Sequence, residues 1–167
     1  MAEALKSGVT KGRNDAMTGG PRQCRAVSIA RPAMPEEVAV IFANDAFYAA
    51  FASRDMEAMR EVWSENVNLR CIHPGWDEIS GRENVLDSLA AILGGDAAPD
   101  ITCHHAKAII YGDVAVVVCH EEIEDAFLIA TNIFERQGRI WKMVHHQAGP
   151  MGVQPPVSED EASSPVQ

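Results

Sequence analysis

The last third of the chain constrains the fold most strongly, because its pattern predicts four β-strands in direct succession. The strand-like runs cover residues 101–110, 114–123, 126–136 and 139–147. They are separated by Tyr111-Gly112-Asp113, Glu124-Asp125 and Gln137-Gly138. Separators this short favour hairpins, so the strands should form an antiparallel meander. A sheet with an apolar face must be covered by another layer, which the rest of the chain has to supply.

The segment before the meander predicts helices. Pro35 followed by two glutamates is typical of a first helical turn, where the missing N–H costs nothing and acidic side chains favour the positive helix end. Asp55 is placed to cap a short second helix. A third helix should begin at Gly81 and end at Gly94-Gly95. The prediction is an α+β domain with three N-terminal helices on one face of a curved antiparallel sheet.

Both ends of the chain differ in composition from the middle. Residues 1–34 carry six basic and two acidic residues, a charge of +4, so a total of −10 leaves −14 on the remainder. Residues 150–167 are acidic and contain prolines. We expect disordered arms at 1–34 and 150–167 around a folded domain at 35–149. The acidic body argues against nucleic acid as a partner.

The same composition leads to an expected location in the cytoplasm. No apolar run approaches the roughly 20 residues of a membrane span, and the first residues lack the apolar core of a signal peptide. The four cysteines are scattered without a CxxC pair, which is typical of reduced thiols. We therefore expect no membrane partner.

The six histidines do not predict a metal site. Two pairs, His104-His105 and His145-His146, are adjacent in predicted strands, so the members of each pair point to opposite faces and cannot chelate together. A zinc site needs three or four converging ligands. We expect no metal and no cofactor.

A break in the chain predicts a pocket rim. The strand that contains Leu69 and Cys71 is interrupted by His73-Pro74-Gly75-Trp76 before the third helix begins. This kink places an imidazole and an indole at a strand end. His73 has a suitable intrinsic pKa for proton transfer near neutrality, but it can equally satisfy backbone groups at the strand end.

The last hairpin predicts which side chains share a face. If Gln137-Gly138 is the turn, the paired positions are Phe134 with Trp141, Asn132 with Met143, and Ala130 with His145. The opposite face carries Ile129, Thr131, Ile133, Ile140, Val144 and His146. Both faces are largely apolar, which indicates that the helices cover one and that a second copy of the chain covers the other.

Four stretches in this order resemble the SnoaL-like branch of the nuclear transport factor two-like (NTF2-like) superfamily. They are FYAAFASRDMEAMREVWSENV, HPGW, GRENVLDSLAAIL and GRIWKMVHHQAGP. The resemblance implies a cone-shaped, cystatin-like α+β roll with a pocket at its open end and a homodimer through the outer sheet face. The pocket-lining residues that we expect are Tyr48, Trp63, His73, Trp76, Asn132, Trp141, Met143 and His145.

The resemblance leaves the function open, because one fold hosts many functions. We expect a homodimeric protein that binds a small apolar or polyketide-like ligand. The first alternative is an acid–base isomerase, dehydratase or cyclase with His73 and His145 as catalytic residues. Against it, the aspartate that ketosteroid isomerases place before a proline is replaced here by His73. The second alternative is a protein-interaction module that acts through the acidic body or the arms.

Overall fold

The structure is a computed structural model that describes residues 35–155. This part contains three helices and six strands: α1 (Glu36–Ala52), α2 (Met56–Val62), β1 (Arg70–Ile72), β2 (Ile79–Ser80), α3 (Arg82–Leu93), β3 (Thr102–Tyr111), β4 (Val114–Ile123), β5 (Ala126–Gln137) and β6 (Ile140–Pro150). Of the two predicted arms, residues 1–34 and 156–167 lie outside the described residues. No helix within residues 35–155 is long and apolar enough to cross a membrane.

The local signals for helix ends are confirmed. Glu36 and Glu37 occupy the first turn of α1, directly after Pro35. The Asp55 carboxylate accepts hydrogen bonds from the backbone N–H groups of Glu57 and Ala58 at 2.9 and 3.0 Å, and so caps α2. These contacts are made within a few residues of the chain, which is why the sequence alone could indicate them.

The strand meander is confirmed, and the sheet is larger than predicted. Its strand order is β2-β1-β6-β5-β4-β3, and the four long strands pair antiparallel with their neighbours. The sheet is nevertheless mixed, because the short strand β1 pairs parallel with β6. The two-residue strand β2, which the sequence analysis missed, extends this edge by pairing with β1. Together with three helices, the mixed sheet forms an α+β roll.

The predicted register of the last hairpin is wrong. Gln137 pairs with Ile140, so the two loop residues are Gly138 and Arg139, and Gly138 has the positive φ of 65° that the first position of such a turn favours. The partner of Phe134 is therefore Met143 instead of Trp141. Because these two residues of β6 are two positions apart and share a face, the shift changes the partners but leaves each side chain on its predicted face of the sheet.

A β-bulge further along β6 does exchange the sides. The pairing passes from Phe134–Met143 to Ile133–His145, so Val144 is an extra residue in β6. Beyond it, His146 is the partner of Asn132, on the inner face, and His145 is the partner of Ile133, on the outer face. His146 therefore takes the inner position that the sequence analysis gave to His145.

The core lies between the helices and the inner face of the sheet. Its largest fully buried apolar side chains are Trp63, Phe47, Phe134, Met59, Leu69, Leu86, Leu89 and Met143. They come from all three helices, from the segments that follow α2, and from the inner positions of β5 and β6. Burial of these side chains fixes the helices on the sheet and leaves the space at one end of the roll that forms the site.

Candidate functional site: an apolar cavity with a polar end

A cavity of about 560 Å³ opens between α1, α3, the turn after β1 and the inner face of the sheet. Apolar side chains make up most of its wall: Phe47, Phe51, Leu89, Ile92, Ile101 and Ile123. Three buried polar side chains also line it, namely His73, Glu121 and His146. This is the usual composition of a small-molecule site, in which few polar groups orient a mainly apolar ligand.

The His-Pro-Gly-Trp segment forms a tight turn at the cavity wall. The Trp76 N–H donates to the His73 carbonyl at 2.9 Å, and Gly75 has a φ of 81°. Pro at the second and Gly at the third position are typical of a type II turn. The turn brings the Trp76 indole against the His73 imidazole edge-on, with ring centroids 5.2 Å apart. Trp76 remains 55% exposed, so a large aromatic surface stands at the cavity with little protein covering it.

The protonation of His73 follows from its partner on α3. The Ser88 hydroxyl donates to the Val85 carbonyl at 2.7 Å, so its oxygen accepts the proton of His73 Nε2 at 3.0 Å. In this arrangement the neutral ring carries its proton on Nε2 and has a lone pair on Nδ1. Burial lowers the pKa of His73, which favours that neutral form near pH 7.

Glu121 and His146 form the polar end of the cavity. Glu121 continues the inward β4 series Ala115, Val117, Cys119, and only 2% of its surface is exposed. The Tyr48 hydroxyl donates to its Oε1 at 2.8 Å. His146 Nε2 lies 3.9 Å from the same oxygen. This distance is too long for a direct hydrogen bond.

Two asparagines fix the orientation of His146. The Asn132 amide donates from Nδ2 to Asn44 Oδ1 at 2.8 Å and to the Tyr48 hydroxyl at 3.2 Å. Its Oδ1 therefore faces His146 Nδ1, at 2.7 Å, and accepts the proton from that nitrogen. The Nε2 atom is then left with a lone pair toward Glu121. The buried network thus runs from Asn44 on α1 through the sheet to His146.

Burial keeps this network uncharged. It raises the pKa of Glu121, although the hydrogen bond from Tyr48 acts in the opposite direction. It also lowers the pKa of His146 to about 3, with His73 and His145 contributing. The distance of 3.9 Å would allow an ion pair, but both pKa shifts oppose one, and we describe the pair as a carboxylic acid facing a neutral imidazole.

The predicted pocket residues occupy several different places. His73 and Trp76 line the cavity. Tyr48 and Asn132 lie behind its polar end and hold Glu121 and His146 in position. The other four lie away from it: Trp63 and Met143 in the core, Trp141 in a separate groove, and His145 at an outer sheet position.

Three functional candidates escaped the sequence analysis. Asn44 stands on the apolar face of α1 one helical turn from both Val40 and Tyr48, and a polar residue on such a face is a signal that could have been used. Glu121 carried no such signal, because it lies between His120 and Glu122 after a continuous apolar run, and only the burial in the structure shows that it points inward. The inner position of His146 carried no such signal, since it depends on the bulge.

A second depression, the α1–α2 groove, is lined by Phe42, Val62, Ile140, Trp141 and neighbouring residues, with a volume of about 500 Å³. It carries no buried titratable pair. In residues 35–155, no three His, Cys, Asp or Glu side chains come together as metal ligands would.

The fold and the cavity define a class of small α+β roll proteins with an internal cavity, and comparison with known proteins identifies the family. The SnoaL-like domain model matches residues 40–152. The chain therefore belongs to the SnoaL-like domain family.

Solved structures support this assignment. A proposed dehydratase of the NTF2-like family from Streptomyces avermitilis is 29% identical, with a TM-score of 0.64 over 71% of this chain and 97% of that one. A proposed association domain of calcium/calmodulin-dependent protein kinase type II from Thiobacillus denitrificans is also 29% identical, with a TM-score of 0.60 over 65% of this chain and 92% of that one. The CaMKII hub of S. rosetta, at 20% identity and a TM-score of 0.57, covering 73% of this chain and 98% of that one, shares the fold.

A curated relative carries the domain within a longer protein. The F-box protein SKIP8 of Arabidopsis thaliana is 27% identical over 115 residues, which cover 68% of this chain and 50% of the relative. The chain thus spans about half the length of that relative.

Proposed function

We propose that the protein binds a small, mostly apolar molecule in the cavity beside the His73–Trp76 turn. The observation that carries this proposal is an open space of about 560 Å³ whose wall combines apolar side chains with a few buried polar groups. Its volume falls within the roughly 300–1,000 Å³ of small-molecule sites. A packed core would close such a space, because interiors leave few voids larger than a water molecule.

The exposed indole of Trp76 favours an aromatic or cyclic ligand. A ring that covers it removes apolar surface from water and gains from aromatic contact, worth about 0.5–1.5 kcal/mol beyond the area buried. Leu89 and Ile92 of α3 supply further apolar wall. Apolar burial at about 25 cal/mol per Å² then provides most of the affinity.

The test is calorimetric titration with 2-naphthol, an uncharged bicyclic probe. Ala97 is exposed and lines the cavity, so Ala97→Trp should occlude it without disturbing the core. Ala49, on the exposed side of α1, takes the same substitution as a control. We expect saturable 1:1 binding to the natural protein and to Ala49→Trp, and at least tenfold weaker binding to Ala97→Trp. Absence of binding to the natural protein would contradict the proposal, as would equal binding to both variants.

Acid–base catalysis is a second candidate, and one observation favours it: a carboxylic acid and a neutral imidazole line the same cavity 3.9 Å apart. A hydroxyl group that leaves as water needs a proton, which Glu121 can donate, while the Nδ1 lone pair of His73 can accept a proton from carbon. The resemblance to a proposed dehydratase is in keeping with this chemistry. In place of the pair His73 and His145, the geometry favours His73 with Glu121 and His146.

This candidate is tested with a cyclic β-hydroxyketone, whose dehydration produces a conjugated enone that absorbs in the near ultraviolet. A general acid contributes roughly 10²–10⁴-fold, so Glu121→Gln should lower the rate at least a hundredfold. A catalysed rate that survives this substitution, or no rate above the buffer across a series of such ketones, would leave ligand binding as the function.

We propose further that the outer sheet face pairs with a second copy of the chain. Large apolar side chains are exposed on adjacent strands of this face: Ile109, Val114, Val118 and Ile129. Such a patch is unusual on a monomer. Light scattering should give a dimer, and Val118→Lys should give a monomer, whereas the same change at Val67, an exposed residue away from the sheet, should not. A natural protein that is monomeric at micromolar concentration would contradict this.

A further inference from the structure

We propose that the polar end of the cavity recognises a hydroxyl group of an uncharged ligand, with His146 Nε2 as the acceptor and the Glu121 carboxyl as the donor. The inference rests on the proposed ligand cavity and names the chemical class that this cavity selects. It follows from the hydrogen-bond directions that the buried network imposes on these two side chains.

The acceptor is fixed by Asn132. The amide group of Asn132 uses its nitrogen for Asn44 and Tyr48 and so presents its oxygen to His146 Nδ1, at 2.7 Å. A neutral imidazole with its proton on Nδ1 has only a lone pair on Nε2. His146 Nε2 therefore accepts a hydrogen bond from the cavity and cannot donate one.

The donor is fixed by burial and by Tyr48. Glu121 Oε1 accepts from the Tyr48 hydroxyl at 2.8 Å, so a neutral Glu121 carries its proton on the other oxygen. The raised pKa that burial gives Glu121 supports that neutral state. A carboxylic acid at this place donates one strong hydrogen bond toward a ligand oxygen.

The separation of the two groups fits a bridging oxygen. His146 Nε2 and Glu121 Oε1 are 3.9 Å apart, so they do not satisfy each other. Because Oε1 already accepts from Tyr48, a ligand oxygen beside this gap donates to His146 Nε2 and accepts from the protonated second oxygen of the same carboxyl, each at about 2.8 Å. A ketone or ether oxygen satisfies the carboxyl but leaves Nε2 without a donor, and an apolar ligand leaves both groups unpaired.

The wall also argues against charged ligands. No Lys or Arg side chain of residues 35–155 lines the cavity, so a ligand carboxylate would be buried without a cation. Asp96 also lines the cavity, but it is exposed to solvent, so a cationic ligand would not find a buried carboxylate there. An uncharged hydroxyl is the ligand group that both polar side chains can pair with.

Four naphthalene probes separate these possibilities in calorimetric titrations of the full chain at pH 7. They are 2-naphthol, 2-methoxynaphthalene, naphthalene and 2-naphthoate, which share one ring system and differ in hydrogen bonding and charge. One hydrogen bond is worth about 1 kcal/mol, so 2-naphthol should bind at least fivefold more tightly than 2-methoxynaphthalene. Naphthalene should bind more weakly still, and 2-naphthoate weakest.

The outcomes distinguish this inference from the proposed function. Equal binding of 2-naphthol and 2-methoxynaphthalene, or tightest binding of 2-naphthoate, would overturn hydroxyl recognition while leaving the ligand cavity in place. If no probe binds, the proposed cavity function fails and this inference fails with it.

Two variants and one spectrum add independent readouts. Glu121→Gln keeps a donor and an acceptor and should keep the preference for 2-naphthol, whereas Glu121→Leu should lose it. Should Glu121→Leu not fold, ¹⁵N chemical shifts of the histidine rings in the natural protein decide the acceptor. We expect His146 to show a protonated Nδ1 and an unprotonated Nε2 that shifts when 2-naphthol is added. A protonated Nε2 would refute the proposal.

Discussion

The buried position of His146 predicts a specific loss of stability in mild acid. Burial lowers the pKa of this imidazole from 6.5 to about 3 in the folded protein. Between these values the unfolded chain binds a proton that the folded chain does not, so the free energy of unfolding falls as the pH falls. The stability associated with a neutral His146 is fully present above pH 6.5 and is lost progressively as the pH falls to about 3.

The magnitude follows from the shift. pH 5 lies 1.5 units below the ordinary pKa of 6.5, and at about 1.36 kcal/mol per unit the loss between pH 7 and pH 5 is about 2 kcal/mol. His73 and His145 also have lowered pKa values and act in the same direction. Glu121 acts oppositely, because its raised pKa stabilises the folded state at low pH and weakens it as the pH rises. A comparison with a variant is therefore required to isolate His146.

Urea unfolding at pH 7 and pH 5 measures the effect. In His146→Gln, which does not titrate, the pH-dependent loss should be about 2 kcal/mol smaller than in the natural protein, whatever the absolute stability. His105→Gln is the control, since His105 packs against His120 on β4, away from the polar end. It should keep the full dependence. The same dependence in His146→Gln and the natural protein would refute the buried, neutral state of His146.

Three further changes test other parts of the account. Asp55→Ala removes the α2 cap and should lower the free energy of unfolding, measured by urea denaturation, by about 1 kcal/mol, whereas Asp55→Asn should retain most of the stabilisation that the cap contributes. Gly75→Val places a branched side chain at a φ of 81°, so we expect a loss of roughly 1–2 kcal/mol and weaker binding of 2-naphthol from a displaced Trp76; unchanged values would exclude the type II turn. Asn132→Leu removes the hydrogen-bond partners of Asn44 Oδ1 and His146 Nδ1 and one of the two hydrogen bonds that the Tyr48 hydroxyl makes to Asn132 and Glu121. We expect the free energy of unfolding to fall by at least about 2 kcal/mol; a smaller loss would show that the network is not formed.

Features determined by neighbouring residues were predictable from the sequence. The Asp55 cap, the helix that opens after Pro35 and the hairpins of the meander depend on a few consecutive residues, and the structure contains all of them. These signals suffice to predict an α+β roll. The helices and the four-strand meander each have an apolar face, and packing the helices on the sheet is one of the few ways to bury both.

Features that depend on distant strands were not predictable. The extra residue Val144 shifts the register only because Phe134 and Ile133 pair with the residues on either side of it, and no local pattern marks this bulge. It determines that His146, and not His145, reaches the cavity. The parallel pairing of β1 with β6 likewise joins segments that lie far apart in the chain. The fold was therefore predictable, whereas the polar end of the site was predictable only in part.

A crystal structure of the protein with 2-naphthol tests the central claim most directly. We predict the probe inside the cavity, its ring beside Trp76 and its oxygen about 2.8 Å from His146 Nε2, within reach of the Glu121 carboxyl. The account is contradicted if side chains fill the cavity, or if the probe lies instead in the α1–α2 groove beside Phe42 and Ile140.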